Sequence, residues 1–144
     1  MHKAARFILA ICVASLAFGL SDPAQSEQND VLSLELNTVE QVGPACRLTF
    51  VATNITGQAI DKAVFETVIF DAAGSVVSLK LFDFRALPAD RPRVRQFDLT
   101  GMGCDDLGQV LINGASSCVV GGTESALCQG ALSLKSRIDV ELLG

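Results

Sequence analysis

Cysteine is the residue type with the clearest chemical role in this chain. Four cysteines follow the apolar N-terminal segment: Cys46, Cys104, Cys118 and Cys128. An even number of cysteines in an exported chain indicates two disulfides, and four cysteines allow three connectivities. None of them forms a CxxC pair. The spacing therefore favours structural disulfides over a thioredoxin-like redox site or a zinc site of four thiolates.

The residue types that most catalytic and metal sites need are missing. The one histidine is His2, at the start of the chain, and there is no tryptophan or tyrosine. Without histidine there is no Ser-His or Cys-His nucleophile pair and no imidazole ligand for a metal. We therefore expect no enzyme activity, no catalytic residues, no cofactor and no metal site.

A cluster of basic side chains stands out in an otherwise acidic chain: Arg85, Arg91, Arg93 and Arg95. Guanidinium groups bind carboxylates and phosphates through paired hydrogen bonds, so Arg91, Arg93 and Arg95 are candidate partner-binding residues. The alternative is structural, with the arginines paired to acids on neighbouring strands, namely Asp83, Asp90 and Asp98. The sequence favours the structural interpretation but does not decide between the two.

The N-terminal segment has the features of an export signal. Lys3 and Arg6 precede the 14-residue apolar run FILAICVASLAFGL, which is short for a membrane span. Small residues at Ala24 and Ser26 predict cleavage after residue 26, with a weaker site after Gly19. We expect a signal peptide over 1–26, a mature domain over 27–144, and a periplasmic or, alternatively, extracellular location.

The charge of the predicted mature chain limits its partners. Removing Lys3, Arg6 and Asp22 from 11 basic and 16 acidic residues leaves 9 and 15, a net charge of −6. Such a chain lacks the basic surface of a nucleic-acid binder and is a poor ligand for anionic membranes. We therefore expect no nucleic acid and, after cleavage, no membrane as partner.

Apolar alternation predicts an all-β fold. Seven strands are expected, at 31–37, 46–54, 63–71, 76–84, 93–100, 108–113 and 132–143. In the strand 76–84, Val77, Leu79 and Leu81 alternate with Ser78 and Lys80. Turn residues separate the strands every eight to twelve residues or so, as is typical of an antiparallel immunoglobulin-like β-sandwich.

Strand counting also predicts the disulfide pairing. Successive antiparallel strands reverse direction, so consecutive connections alternate between the two ends of the sandwich. Cys46 and Cys104 then lie at one end, and Cys118 and Cys128 at the other. Because a disulfide needs Cα atoms within about 7 Å, the expected bridges are Cys46–Cys104 and Cys118–Cys128.

One local irregularity is expected in the strand at 93–100. Val94 and Phe97 lie on opposite faces of a regular strand. Burying both requires one extra residue, so a β-bulge is predicted at Arg95-Gln96.

Several segments together resemble a known family: LxLELN, GPACRLTFVATN, VIFDAAG, LPADRPRVRQFDLTGMGCD, VLINGASSC and SRIDVELLG. The family consists of short exported bacterial proteins, found mainly in alphaproteobacteria and often named after a twin-arginine signal. This chain differs in lacking the arginine pair. The resemblance implies export, the β fold and disulfide-bonded cysteines, and it transfers no catalytic residue. The function expected from the sequence is a non-catalytic module that binds an envelope protein, and the alternative is an enzyme inhibitor or small-ligand-binding protein with its site in the loops.

Overall fold

Residues 31–144 are described by a computed structural model. The predicted signal peptide, 1–26, lies outside these residues. Within 31–144, no helix has the length and apolar character needed to cross a membrane.

The described chain folds into two packed β-sheets. The four-stranded sheet has the order β5-β2-β1-β8. Its strands are β1 (Leu32–Val42), β2 (Ala45–Asn54), β5 (Arg93–Thr100) and β8 (Leu132–Ser136). Alternate residues of β1 and β2 face the second sheet, which is why Leu32, Leu34, Leu36, Leu48 and Phe50 are fully buried.

The five-stranded sheet has the order β4-β3-β6-β7, with β9 also pairing with β6. Its strands are β3 (Ile60–Asp71), β4 (Val76–Leu87), β6 (Leu107–Val120), β7 (Thr123–Glu124) and β9 (Glu141–Leu143). A single helical turn, α1 (Leu127–Gly130), follows β7, and a 3-10 turn occupies Cys104–Asp106. The order places β4 and β5 at the edges of their two sheets.

Phenylalanines close the side of the sandwich where β4 and β5 approach each other. The rings of Phe82 and Phe97 stack with centroids 4.1 Å apart, and Phe50 meets Phe84 edge-on at 5.5 Å. Phe82 and Phe84 come from one sheet, and Phe50 and Phe97 from the other. These contacts join the two edge strands through the core.

The immunoglobulin-like β-sandwich predicted from the sequence is confirmed, with more strands than expected. The predicted last strand is divided into β8, which pairs in parallel with β1, and β9, which pairs in parallel with β6. β6 is also longer than predicted and continues through Gly114 and Ser117. Register shifts near Gly114 in the β3–β6 pairing accommodate these small residues, which looked like a loop in the sequence.

The β-bulge predicted at Arg95-Gln96 is wrong. β5 pairs with β2 without any register shift from Arg93 to Thr100. The prediction assumed that Val94 is buried, whereas its side chain is 58% exposed. The alternation is therefore regular, and Arg95 lies on the same face of β5 as the half-buried Phe97.

Candidate partner-binding surface

Both predicted disulfides are present, and each fixes one end of the sandwich. Cys46, at the start of β2, bonds to Cys104 in the 3-10 turn, with Cα atoms 4.8 Å apart. Cys118, near the end of β6, bonds to Cys128 in α1 at a Cα distance of 5.9 Å. All four sulfurs are thereby used in structural bonds.

Arg95, one of the three candidate partner-binding residues, joins the two edge strands. Its Nε donates to the carbonyl of Phe84 at 2.6 Å and its Nη2 to the carbonyl of Ala86 at 3.1 Å. Both acceptors belong to β4, whereas Arg95 belongs to β5. Burial lowers the pKa of Arg95, and the nearby charges of Arg85 and Arg93 lower it further. This arginine has a clear structural role.

The other two candidate arginines, Arg91 and Arg93, lie close to Arg95, where the end of β4 is connected to the start of β5. Arg91 is exposed in the β4–β5 loop, and Arg93 is half-buried at the start of β5. Neither forms an ion pair with any residue within 31–144. Partner binding by Arg91 and Arg93 stays a prediction. Arg85, the fourth arginine of the cluster, also forms no ion pair within 31–144.

Asp98, which the sequence offered as a partner for the cluster, pairs elsewhere. Arg47 of β2 donates to its two carboxylate oxygens from Nε at 2.7 Å and from Nη2 at 2.9 Å. This two-point hydrogen bond on the exposed face of the four-stranded sheet lowers the pKa of Asp98 and raises that of Arg47. The acid therefore does not neutralise Arg93 or Arg95.

The most unusual surface of the described molecule lies on β4. Seven large apolar side chains are exposed within 31–144, and four of them belong to this strand. We call these four the β4 patch: Val76, Val77, Leu79 and Leu81, which are 49–62% exposed. The predicted alternation of the strand is present, but Ser78 and Lys80 share the inner side with Phe82 and Phe84.

The β4 patch continues across the outer face of the five-stranded sheet. The strand register aligns one residue from each of four strands: Leu79 of β4, Val68 of β3, Leu111 of β6 and Leu143 of β9. We call these four residues the apolar row, in which Leu79 and Leu143 are exposed, Leu111 is half-buried and Val68 is only 8% exposed. Contiguous apolar surface of this kind is typical of interaction sites, whereas single exposed apolar residues are not.

A carboxylate stands on each side of the apolar row. Glu66 lies two residues from Val68 on β3, and Glu141 lies two residues from Leu143 on β9, which runs in the opposite direction. Glu66 accepts a hydrogen bond from the side-chain amide of Asn113. Glu141 accepts one from Gln109 at 2.9 Å. Amides orient both carboxylates, and neither has a cationic partner within the described chain.

Two clefts flank the contact between β4 and β5. A cleft of about 400 Å³ lies beside the β3–β4 turn, with Lys80, Asp71 and Asp106 among its lining residues. A second, of about 510 Å³, is lined by Asp83, Arg85 and Arg95 together with apolar residues. A third cleft, of about 450 Å³, is lined by Gln129, Leu134 and Leu142. The alternative function, binding of a small ligand, would use one of these clefts.

Sequence reasoning identified the arginines but missed the outer face of the five-stranded sheet. The alternation of Val77, Leu79 and Leu81 with Ser78 and Lys80 is visible in the sequence, but such a pattern is usually typical of a strand whose apolar side is buried. One signal was available, because Phe82 and Phe84 share the parity of Ser78 and Lys80. The larger aromatic pair would have indicated that the even-numbered side faces the core.

The sandwich is similar to a solved structure, that of IrmA from Escherichia coli. The two chains superpose with a TM-score of 0.56 at 11% sequence identity, over 73% of this chain and 91% of that one. No family model matches the chain, and no curated protein is similar to it in sequence. The likeness to IrmA establishes a common fold.

Proposed function

We propose that this chain is an exported, non-catalytic module that binds a protein partner through the outer face of its five-stranded sheet. The observation that carries the proposal is the β4 patch. Four neighbouring apolar side chains, Val76, Val77, Leu79 and Leu81, are about half exposed. Burying them against a partner would be favourable, since each Å² of apolar surface removed from water contributes about 25 cal/mol.

Periplasmic location and non-catalytic character rest on separate observations. Two disulfides are typical of proteins in oxidising compartments, which supports export to the periplasm or the cell exterior. The lack of histidine after His2 supports a binding role over catalysis. Membership of the family of short exported alphaproteobacterial proteins is part of the same proposal, as is cleavage after residue 26.

The test is capture of the partner with matched surface variants. Tagged protein is incubated with periplasmic extract, and bound proteins are identified by mass spectrometry. The double variant Leu79→Ser/Leu81→Ser should lose its partner, while Ile55→Ser, at an exposed apolar residue of the β2–β3 connection, should retain it. Surface substitutions of this kind change stability by only about 0.5 kcal/mol each, so both variants should stay folded. Equal capture by both variants would contradict the proposal.

A further inference from the structure

We infer that the partner lies flat on the apolar row and presents an apolar strip flanked by lysine or arginine on both sides, instead of adding a strand to the edge of β4. This inference rests on the proposed function and specifies it. It follows from two observations, the protection of the β4 edge and the two carboxylates beside the row.

The edge of β4 carries several features that oppose strand addition. The register with β3 shifts once near Val76 and twice around Arg85, which interrupts the straight edge at both ends. Between these shifts the charged side chain of Lys80 lies on the inner side of the sheet. The guanidinium of Arg95 donates hydrogen bonds to the carbonyls of Phe84 and Ala86, which are then not free to pair with an added strand. Bulges, inward-facing charges and covered backbone groups are the devices that keep natural edge strands from pairing.

The charges on the outer face favour a cationic partner. Glu66 and Glu141 lie on opposite sides of the apolar row, each about 7 Å from it along its strand. The basic residues of the same sheet do not neutralise them. Lys80 faces the inner side, and Lys62 is four residues from Glu66, roughly 13 Å along β3. Arg85 of β4 pairs with Ala63, three residues from Glu66, and forms no ion pair with either carboxylate. Cationic side chains of a partner could therefore pair with both carboxylates at the rim of an apolar contact.

The same charges disfavour a second copy of this chain as the occupant. Two copies packed through this face would bring the acids at positions 66 and 141 together with their equivalents. Both copies would also carry the net charge of −6 expected of residues 27–144. Like charges placed across an interface oppose association, so the complementary partner is a basic one.

The dimensions of the row fit a short amphipathic helix. The apolar row crosses four neighbouring strands. Three inter-strand distances of about 4.8 Å give it a length of about 14 Å. Roughly nine residues of α-helix cover this distance. The flanks of a helix about 10 Å wide then lie near both carboxylates. A leucine/lysine peptide with an apolar stripe between two basic flanks is thus a suitable probe.

The experiment titrates ¹⁵N-labelled mature protein with this leucine/lysine peptide and, separately, with a leucine/glutamate peptide of the same pattern. We expect the lysine peptide to bind more tightly and to shift the amides around the apolar row. Leu79→Ser/Leu81→Ser should weaken binding about tenfold. Glu66→Gln/Glu141→Gln should weaken it about fivefold, as expected for two rim ion pairs. The control Glu40→Gln/Asp105→Asn, with the same charge change away from the face, should have little effect.

Three outcomes would overturn the inference: preference for the glutamate peptide, no binding of the lysine peptide, or equal weakening by the control and Glu66→Gln/Glu141→Gln. Slowed hydrogen exchange confined to the outer-edge amides of β4 in the complex would also contradict it, because that indicates strand addition. The proposed function is judged separately. If capture from extract still depends on Leu79 and Leu81, it stands even when the basic-partner inference fails.

Discussion

Removing the two disulfides separately should destabilise the protein unequally. The perturbations are the double variants Cys46→Ala/Cys104→Ala and Cys118→Ala/Cys128→Ala. The first bridge joins residues 58 apart in sequence and the second joins residues 10 apart. In the chain-entropy model a cross-link restricts the unfolded chain more when it closes a longer loop. The first variant should therefore lose more stability.

The model also gives the size of the difference. For these two separations it predicts losses of about 4.2 and about 2.7 kcal/mol at 25 °C. Three of the four cysteines are at most 2% exposed, and each double variant removes at least one of them. Lost packing therefore adds to both variants. The expected difference in the free energy of unfolding is about 1.5 kcal/mol, out of the 5–15 kcal/mol typical of a domain.

The assay is urea unfolding of the mature protein, followed by far-UV circular dichroism because the chain has no tryptophan or tyrosine. The wild type under reducing conditions serves as the control that lacks both bridges. An equal loss in the two variants, or a larger loss for Cys118→Ala/Cys128→Ala, would refute the loop-closure reasoning.

Three other predictions concern packing and charge. Gly108→Ala should cost about 1–3 kcal/mol, because a Cβ there would overlap the carbonyl oxygen of Asp71; Gly130→Ala, with open space around it, is the control in the same urea titration. Arg95→Met should cost about 1–2 kcal/mol by removing donors to two β4 carbonyls, measured the same way, and an unchanged urea midpoint would argue against its joining role. Because the pKa of Asp98 is lowered in the folded protein, its ionised carboxylate contributes to the free energy of unfolding above the ordinary aspartate pKa of about 3.9. This contribution is lost as the pH falls through the lower pKa of the folded state. Asp98→Asn should therefore flatten the fall in urea midpoint between about pH 4 and pH 2, and an identical fall in both proteins would contradict this.

The parts of the fold that depend on local pattern were predictable from the sequence. The leucines of β1 and the alternation of β2 identified two core strands, because one buried face imposes a period of two. The disulfide pairing followed from strand direction alone. The predicted pairing is correct although the last predicted strand is divided into β8 and β9, because both cysteine pairs precede that region.

The parts that depend on tertiary contacts were not predictable. A period of two in β4 did not by itself show which side faces the core, since both sides carry apolar residues, and only the aromatic pair Phe82 and Phe84 marked the inner side. The structure shows that Phe82 and Phe84 take the inner side and leave Leu79 and Leu81 exposed. The parallel pairings of β8 and β9 join segments far apart in sequence, and no local signal marks them. The role of Arg95 likewise depends on β4 and β5 meeting at one side of the sandwich.

Crosslinking in living cells tests the central claim most directly. A photoreactive phenylalanine analogue is placed at position 79, in the β4 patch, or at position 55, an exposed apolar position in the β2–β3 connection. We predict that illumination joins a specific protein to the chain from position 79 and not from position 55. Crosslinks to the same protein from position 55 alone, or the absence of any protein crosslink at position 79, would contradict the assignment of this face as the binding surface.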